Sequence, residues 1–595
     1  MRRHRVFALA LLAILVAPLT LGGSARAESI VETIIEVADT KMDFTLAGTG
    51  NGDYFVDLSR VNPTFFANHY TVLDAKLSYD LSQILNKSCP PNLTLIRSDA
   101  VRTNGPRIRR SSEDNVAVQR VATAQPYDRY FKLQVRRDST GVSTSGPCVT
   151  LSNLSVPYTL RVALYASNPA GTSNFSFAQQ HLPVKGDGEP SIAIDRQHGD
   201  LVYISAPTGG PALLGGNAGG VDLWRSLDRG ATFAYSQPVF GNADGGFDSH
   251  VVVAANGDVY LADLAASKID LGKSSDHGAT FTALPAAGVD SDRQWLATYT
   301  PAGAPAPTKV FVSYHDINVD NLPYECIVTP LVSQLVCNPM VTDPVVAANA
   351  TGNTVIGNQV FDSTGTVYSI FGSPSAPTGG APSALGTIYL ARSADGVVFT
   401  DRRVYTAPSG YDTAGIFPII AIDGADNLYA VWSERRSPYF EASVRVAVST
   451  DHGDTWSAPQ TLSAPGSAVL PWVTAGKAGE IDVVWVGTTA TSTNDPTADW
   501  YVYMAQSQNA LGGKFSVSRV TSQPVRYGSI CLSGLGCSTA GDDGRILLDF
   551  ISVDYDSQYN ANLTFANSGP EGPSDDPREV YTDFAKQRSG TTIGQ

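Results

Sequence analysis

The most informative part of this sequence is the segment Ser449-Thr450-Asp451-His452-Gly453-Asp454-Thr455-Trp456. It follows an alternating apolar run, Val444-Arg445-Val446-Ala447-Val448, which predicts a β-strand that ends in a turn. Asp451 is short enough to accept hydrogen bonds from backbone N–H groups of its own turn, and Gly453 adopts a positive φ without steric cost. Trp456 would then return to pack on the sheet. The segment therefore predicts a tight hairpin.

The same pattern occurs three more times. Full-length copies begin at Ser226 and Ser274, and a copy that is one residue shorter begins at Ser393. The aspartates at the equivalent positions are Asp228, Asp276, Asp395 and Asp451. A repeated turn of this kind predicts an all-β chain that is built from similar small sheets.

The four segments share the pattern Ser-x-Asp-x-Gly-x-Thr-aromatic, and in this the chain resembles the sialidase-type β-propellers, whose repeat is called the Asp box or BNR repeat. The resemblance covers roughly residues 186–590. It implies a β-propeller in which the four aspartates are structural residues at outer hairpin turns, away from any active site.

A second repeated signature indicates how many sheets there are. An aliphatic-aromatic strand recurs seven times, mostly after a Gly, Asp or Asn turn: Leu201-Val202-Tyr203, Val259-Tyr260, Val310-Phe311, Val367-Tyr368, Leu428-Tyr429, Val483-Val484-Trp485 and Leu563-Thr564-Phe565. The third repeat lacks an Asp box, and Cys326 and Cys337 there predict a disulfide in its place. Seven repeats favour seven blades, whereas the sialidases that the chain resembles have six, so six blades is the alternative.

The N-terminus has the features of a secretion signal. Arg2, Arg3 and Arg5 precede the apolar run Val6–Ala17, and Ala25-Arg26-Ala27 is a small-x-small cleavage site. Residues 1–27 are therefore predicted to be removed. No later segment is long and apolar enough to span a bilayer, so we expect a secreted, extracytoplasmic protein.

The cysteine content agrees with an oxidising compartment. The six cysteines of an exported chain are expected to form three disulfides. Nearest-neighbour pairing is one of several arrangements, and it would join Cys89 with Cys148, Cys326 with Cys337, and Cys531 with Cys537. No Cys-x-x-Cys or accompanying His pair indicates a metal site instead.

Residues 28–183 contain no Asp box. They have strand-like runs separated by polar, Gly/Ser-rich turns, namely Tyr54–Leu58, Tyr130–Val135 and Tyr158–Tyr165. We predict a β-sandwich that is held by Cys89–Cys148 and acts as an accessory domain.

The composition excludes several classes of partner. The formal net charge is −15, so neither nucleic acid nor an anionic membrane is expected as a partner. A uniformly anionic protein also does not attract sialylated glycans at long range, although a local arginine cluster could bind them. The 54 Gly and 36 Pro favour short strands joined by turns over helices.

Propeller ligands usually bind at the funnel, where the innermost strands begin. The order of the repeat predicts six ligand residues there: Asp248, His250, Asp292, Arg293, Trp295 and Trp472. The densest group is Asp292-Arg293-Gln294-Trp295, for which the alternative is an internal ion pair beside a core tryptophan. His250 could instead be a turn or core histidine, and Trp472 could pack between blades. Further funnel segments are Asn358-Gln359, Tyr411-Asp412 and Asp542-Asp543-Gly544-Arg545.

Sialidase chemistry requires three arginines on the substrate carboxylate, a Tyr–Glu nucleophile pair and an Asp acid/base. The family's first arginine lies in a Phe/Tyr-Arg-Ile-Pro motif, but Gly188-Glu189-Pro190-Ser191-Ile192 occupies that position here. Other conceivable parts are Arg293, Arg435, Arg436 and Arg545 as a cluster, with Glu434 beside Tyr439. None of these matches a family motif, so no catalytic residue is assigned.

These observations favour a secreted binding protein that recognises a glycan or an extracellular protein at the funnel. The alternative is an exo-α-sialidase-like glycoside hydrolase on the same propeller. We expect no cofactor; Ca²⁺ held by funnel acids such as Asp290 and Asp292 is a weaker alternative to simple solvation of those acids. We expect a monomer.

Overall fold

The computed structural model describes residues 31–38, 43–60, 71–80, 93–97, 108–110, 116–123, 130–137, 157–166, 175–183, 188–208, 220–238, 245–265, 268–288, 291–316, 322–328, 335, 337–343, 346, 354–375, 385–413, 416–436, 441–462, 466–495, 498–532, 537, 547–568 and 580–594. Their regular elements are β-strands, apart from a 3-10 turn at Ala510–Gly512. Nothing helical in this part of the chain is long and apolar enough to cross a membrane.

The first nine strands form two sheets. They are β1 (Val31–Ala38), β2 (Asp43–Thr49), β3 (Gly52–Arg60), β4 (Thr71–Asp80), β5 (Leu93–Arg97), β6 (Ile108–Arg110), β7 (Val116–Thr123), β8 (Tyr130–Arg137) and β9 (Pro157–Ala166). One sheet has the order β1-β3-β8-β5 and the other β2-β9-β4-β7-β6. The β1–β3 pair is parallel, whereas the other pairs are antiparallel. Cys89 and Cys148 lie outside the described residues.

The rest of the chain continues with short strands as far as Ser589. They are β10 (Ser176–His181), β11 (Ser191–Asp195), β12 (Leu201–Ala206), β13 (Asp222–Ser226), β14 (Ala234–Ser236), β15 (Ser249–Val253), β16 (Val259–Leu264), β17 (Ile269–Ser274), β18 (Thr282–Ala287), β19 (Ser291–Tyr299), β20 (Lys309–Asp316), β21 (Leu322–Ile327), β22 (Cys337–Pro339), β23 (Val355–Phe361), β24 (Val367–Pro374), β25 (Leu385–Ser393), β26 (Thr400–Thr406), β27 (Tyr411–Asp412), β28 (Ile419–Ile422), β29 (Leu428–Arg436), β30 (Glu441–Ser449), β31 (Gln460–Thr461), β32 (Ala468–Ala475), β33 (Ile481–Gly487), β34 (Asp499–Asn509), β35 (Lys514–Arg519), β36 (Arg526–Tyr527), β37 (Ser552–Tyr555), β38 (Ala561–Asn567) and β39 (Tyr581–Ser589).

These strands pair into antiparallel sheets that follow one another along the chain. The sheets are β11–β14, β15–β18, β19–β22, β23–β26, β28–β31 with the short strand β27, β32–β35 with the short strand β36, and β37–β39 with β10. The innermost strands β11, β15, β19, β23, β28, β32 and β37 each contact the next, and β37 contacts β11. Sheets that meet through their first strands in a closed circle form a β-propeller.

The circle is closed by a strand from before its first sheet. β10 pairs with β39, so the last sheet contains strands from both ends of this part of the chain. The buried Asp583 carboxylate accepts a hydrogen bond from Gln179 Nε2 at 2.8 Å and lies 2.5 Å from His181 Nδ1. Two contacts from β10 to one buried carboxylate therefore hold the two ends together.

The four Asp-box aspartates bind their own turns. In the copy at Asp451, one carboxylate oxygen accepts the Thr455 N–H at 2.9 Å and the other accepts the Thr455 hydroxyl at 2.6 Å. The Ser449 hydroxyl donates to Asp451 at 2.8 Å and accepts the Gly453 N–H at 2.9 Å. These hydrogen bonds, chiefly those from Thr455, lower the pKa of Asp451 to about 2, so the carboxylate stays ionised in its turn.

Each Asp box also contacts the neighbouring sheet. The residue before the box glycine has a positive φ in three copies, and its carbonyl accepts a hydrogen bond from a cation of the preceding sheet. The three pairs are Arg225 to His277 at 3.3 Å, Arg392 to His452 at 3.0 Å and Lys586 to Arg229 at 3.3 Å. The Asp boxes thus stabilise contacts between sheets as well as hairpins.

Two of the predicted disulfides lie among the described residues. Cys326 is bonded to Cys337, and Cys531 to Cys537, each as nearest neighbours in sequence. Cys326 and Cys337 face each other across β21 and β22, the third and fourth strands of a sheet that lacks an Asp box. The disulfide therefore links the two strands that an Asp-box turn joins in other sheets.

A buried carboxyl in β33 makes stability depend on pH. Asp482 is fully buried, accepts one hydrogen bond from Gln506 at 2.8 Å and has no partner for its second oxygen. Burial raises its pKa from 3.8 to about 7. Between pH 4 and 7 the unfolded state has released this proton while the folded state keeps it. The free energy of unfolding therefore falls as the pH rises from about 4, and the loss is complete once the pH has passed 7.

We therefore expect Asp482→Asn to have a higher free energy of unfolding than the unsubstituted protein. This gain should be about 2 kcal/mol larger at pH 8 than at pH 5. Denaturant titrations of both proteins at the two pH values measure this difference. Asp454→Asn is the matched control, since Asp454 is half exposed and ion-paired at the surface. An equal gain at both pH values would show that Asp482 is ionised in the folded protein.

Candidate functional site

The innermost strands β11, β15, β19, β23, β28, β32 and β37 begin at the same end of their sheets. We call this end, formed by the first residues of these strands and the residues just before them, the axial edge. Five non-glycine residues at or just before the starts of these strands have a positive φ: Glu189 (55°), Arg293 (44°), Ile416 (73°), Leu470 (56°) and Leu548 (56°). β-Bulges interrupt β19 after Asp292 and β32 after Val469. Such backbone conformations are unfavourable for residues with a Cβ and cluster at functional sites in proteins, which singles out this edge.

Two acidic side chains at the axial edge form a hydrogen-bonded pair. Glu189 precedes β11 and Asp248 precedes β15, and their carboxyl groups hydrogen-bond to each other. Burial raises the pKa of Glu189 well above its usual value, and it also raises the pKa of Asp248. The negative charge of Asp549, before β37, acts in the same direction on both. The pair therefore keeps a proton at pH values where an exposed carboxyl has lost its own.

Arg293 lies among these carboxyl groups and is only 1% exposed. Its Nη1 donates to the Ser249 carbonyl at 3.0 Å, and the guanidinium lies 3.9 Å from the ring centre of Trp295 and 4.4 Å from that of Phe550. Burial lowers its pKa, against the opposing effect of the nearby acids. The guanidinium is thus a charge of the protein interior and is not exposed to a ligand in solution.

Aromatic rings form the floor beneath these charges. The Trp295 ring lies 5.4 Å from Phe417, 5.5 Å from Trp472 and 5.4 Å from Phe550, measured between ring centres. Trp295 is 0% exposed and donates its indole N–H to the Ile356 carbonyl at 3.1 Å, whereas Trp472 is 8% exposed. The cluster joins the innermost strands of four sheets or the residues just before them.

His250 lies beside the same tryptophan. Its ring meets Trp295 edge to face at 5.2 Å, and its Nδ1 accepts the Leu296 N–H at 2.9 Å. Burial, with a smaller effect of the Arg293 charge, lowers the pKa of His250 well below its usual value. His250 is therefore a neutral histidine with one nitrogen committed to the backbone.

Asp292 is the accessible carboxylate of this group, with 39% of its side chain exposed. Its Oδ2 lies 3.4 Å from Nε2 of His315, the residue opposite it on β20. Although burial acts to raise its pKa, the hydrogen bond and charge of His315 lower it below the usual value. Asp292 is therefore ionised at pH values at which the Glu189–Asp248 pair still holds a proton.

The six predicted ligand residues all lie at or near the axial edge, but most are covered. Arg293, Trp295, His250 and Trp472 are buried, whereas Asp248 and Asp292 are half-buried, with 39% of the Asp292 side chain exposed. The prediction missed Glu189, Asp549 and His315. Glu189 and Asp549 stand at the same place in the repeat as Asp248, just before a first strand, and this position is a signal that could have identified them.

The other funnel segments mainly join neighbouring strands. Asn358 exchanges two hydrogen bonds with the backbone of Ile420, at 2.7 and 2.9 Å, and Gln359 donates to the Trp295 carbonyl at 2.9 Å. Asp412 is ion-paired with Arg435 at 3.1 Å. Asp290, Tyr439 and residues 542–545 lie outside the described residues.

Glu434 has a tyrosine partner, but this partner lies away from the axial edge. It accepts hydrogen bonds from the Tyr405 hydroxyl and, at 2.6 Å, from Arg445 Nη2. Tyr405 belongs to β26, the outermost strand of its sheet, and its ring packs on Trp432 with 5.0 Å between centres. Burial and Glu434 raise the pKa of Tyr405, so this hydroxyl is not activated as a nucleophile.

Within the described residues, no group of three or more His, Cys, Asp or Glu side chains is arranged to hold a metal ion. The acids of the axial edge instead interact electrostatically with each other, with Arg293 and with His315.

The fold and this edge define the chain as an all-β protein with a β-propeller. No protein-family model and no curated protein sequence matches it. Among solved structures, it is similar to an alpha-L-arabinanase of Penicillium chrysogenum (10% identity, 70% of this chain and 98% of that one, TM-score 0.38). It is also similar to a GH93 alpha-L-arabinofuranosidase of Fusarium graminearum (11%, 69% and 97%, TM-score 0.39) and to YCF48 bound to D1 peptide (9%, 69% and 97%, TM-score 0.37). Likeness at this level carries no conclusion about activity.

Proposed function

We propose that this protein is secreted and binds a glycan at the axial edge. The observation that carries the proposal is the ionised Asp292, whose side chain is 39% exposed, beside the half-buried Asp248. Carboxylates accept hydrogen bonds from sugar hydroxyls. The buried aromatic cluster lies beneath them, and a few polar groups over an apolar layer are the usual composition of a small-ligand site.

The architecture that we propose assigns one blade to each sheet that contributes an innermost strand. That gives a propeller of seven blades, and because β10 completes the last one, the propeller would begin at Ser176 and not at residue 186. The two sheets formed by β1–β9 would be the predicted β-sandwich, ending before β10 and not at residue 183. A cleaved leader, residues 1–27, would deliver the chain to a compartment in which its disulfides form.

The charges at the edge favour a ligand other than a sialylated glycan. A ligand carboxylate would approach the negative charges of Asp292 and Asp549. The Arg293 guanidinium, whose charge acts on these acids, is buried against Trp295 and Phe550. Arg435 is neutralised by Asp412. An exo-α-sialidase, which has to clamp a carboxylate with arginines, is therefore less well supported than a protein that binds uncharged sugars.

Binding measurements with Asp292→Asn test this proposal. The amide retains the size of the side chain but loses its charge, so we expect the affinity for the bound glycan to fall at least about tenfold. The ligand is found by screening immobilised neutral and sialylated oligosaccharides, and its affinity is measured by calorimetry. Asp454→Asn, at the opposite end of the sheets, should bind like the unsubstituted protein. Glycan binding that both variants retain, or a preference for sialylated ligands, would contradict the proposal.

A further inference from the structure

We propose that His198 and His277 together bind one divalent ion of a late transition metal, with Cu²⁺ held most tightly. Both residues lie at the end of the sheets opposite the axial edge. His198 is in the turn that joins β11 to β12, and His277 is in the Asp-box turn between β17 and β18. The ion would therefore link the sheet β11–β14 to the sheet β15–β18, at a site separate from the proposed glycan site.

The two imidazole rings lie close together and are accessible. Their centres are 6.5 Å apart and their planes are inclined by 50°. The His198 side chain is 41% exposed, and His277 is exposed as well. An ion bonded to one nitrogen of each ring would lie about 3 Å from each ring centre, so tetrahedral coordination brings the centres to about 5 Å. Rotation of the exposed His277 side chain can close this gap.

A buried carboxylate orients the His198 ring. Nδ1 of His198 lies 2.8 Å from each oxygen of Asp195, whose side chain is 2% exposed. Because a carboxylate only accepts hydrogen bonds, the neutral ring carries its proton on Nδ1 and presents the lone pair of Nε2 to an ion. Metal-binding histidines usually donate their other N–H to a carboxylate in this way, which fixes the tautomer and makes the ligand nitrogen more basic.

Contacts between the two sheets hold both residues in place. The turn around Gly257 packs against His198 and Asp195, since a Cβ added there would lie 3.0 Å from Nδ1 of His198 and 3.1 Å from Oδ2 of Asp195. His277 has φ +57°, and its carbonyl accepts a hydrogen bond from Arg225 Nη1 at 3.3 Å. The backbone of the site is thus ordered before an ion binds, which lowers the entropic cost of binding.

The ligand atoms indicate which ions fit. Neutral imidazole nitrogens suit Cu²⁺, Ni²⁺ and Zn²⁺, whereas Ca²⁺ and Mg²⁺ prefer oxygen ligands. Among the described residues no group of three potential ligands is present, so water would complete the coordination of the ion. A site of this kind binds Cu²⁺ more tightly than Ni²⁺ or Zn²⁺.

The Asp box at Asp451 supplies a matched control. His452 occupies the same place in its turn as His277, with φ +59° and a carbonyl that accepts a hydrogen bond from Arg392 Nη1 at 3.0 Å. Its neighbour on the preceding sheet is a carboxylate, Asp362, whose Oδ2 lies 4.0 Å from Nδ1 of His452. The Asp362 carboxylate is itself bonded within its own turn. His452→Ala therefore removes an equivalent histidine that has no second imidazole beside it.

The test is a titration of the purified, EDTA-treated protein, without a histidine tag, with Cu²⁺, Ni²⁺, Zn²⁺ and Ca²⁺. Calorimetry measures the affinities, and electron paramagnetic resonance of the Cu²⁺ complex reports the bound nitrogens. We expect one tightest Cu²⁺ site with two imidazole nitrogens, and no binding of Ca²⁺ there. His198→Ala and His277→Ala should each lower the Cu²⁺ affinity at least about tenfold, and Asp195→Asn by about 10- to 100-fold.

Thermal unfolding gives a second measurement, because an ion that binds only the folded state raises Tm. Cu²⁺ should raise Tm in the unsubstituted protein and in His452→Ala, but not in His198→Ala or His277→Ala. Since both of these histidines are exposed, the two variants test the proposal even if Asp195→Asn does not fold. Cu²⁺ affinity that both variants retain, or that His452→Ala lowers equally, would overturn the proposal.

Discussion

The substitution Gly453→Ala is expected to lower the free energy of unfolding by about 3 kcal/mol. Gly453 has φ +86°, where an alanine costs about 1–2 kcal/mol. An added Cβ would also lie 2.4 Å from Cδ2 of Leu390, a buried residue of the preceding sheet. Leu390 cannot move freely in its packed surroundings, so overpacking adds about 1–3 kcal/mol.

Gly410 offers a matched control. It has the same φ of +86°, but an added Cβ would meet nothing within 4 Å. We therefore expect Gly410→Ala to cost about 1 kcal/mol, which is the backbone part alone. Denaturant titrations of both variants measure the difference. Equal costs would mean that the Leu390 side chain moves away from the added methyl group, which would contradict the expected overpacking.

We expect Trp295→Ala to lower the free energy of unfolding by about 3–5 kcal/mol, the range for deleting a fully buried large aromatic ring. The substitution opens a cavity among Phe417, Trp472 and Phe550, at the point where the innermost strands converge. It also removes the hydrogen bond to Ile356 and one of the two rings beneath the Arg293 guanidinium. Chemical denaturation followed by near-ultraviolet circular dichroism measures the loss.

Trp295→Phe is the graded control. Phenylalanine retains most of the ring area but not the indole N–H, so it should cost less than the alanine variant. A loss below about 1 kcal/mol for Trp295→Ala would contradict the view that this ring is central to the packing of the axial edge.

Much of the fold could be predicted from local sequence, because the turns that define it are local. Asp451 needs only the atoms of residues 449–455 to form its hydrogen bonds. The second signature has a similar cause, since Asp423 accepts the N–H groups of Ala425 and Asn427 and the hydroxyl of Tyr429. Equivalent hydrogen bonds at Asp362 and Asp556 explain why a turn aspartate precedes the aliphatic-aromatic strand in those repeats.

The candidate site was predicted less completely. The dense group around Arg293 was recognised because its residues are adjacent in sequence. Glu189 and Asp549 were missed because each stands alone in its own segment. The exposure of individual side chains was also not accessible, since the sequence does not distinguish the covered Arg293 from the exposed Asp292.

The sequence by itself determined the all-β class and the repeated turns, since each depends on residues close together in the chain. Only the tertiary structure decided which residues meet at the axial edge. Glu189 and Asp549 are far apart in sequence, and their charges interact because the first and last sheets are neighbours in the closed circle. That closure, with the burial it imposes, raises the pKa values of the Glu189–Asp248 pair, whereas His315 lowers that of Asp292.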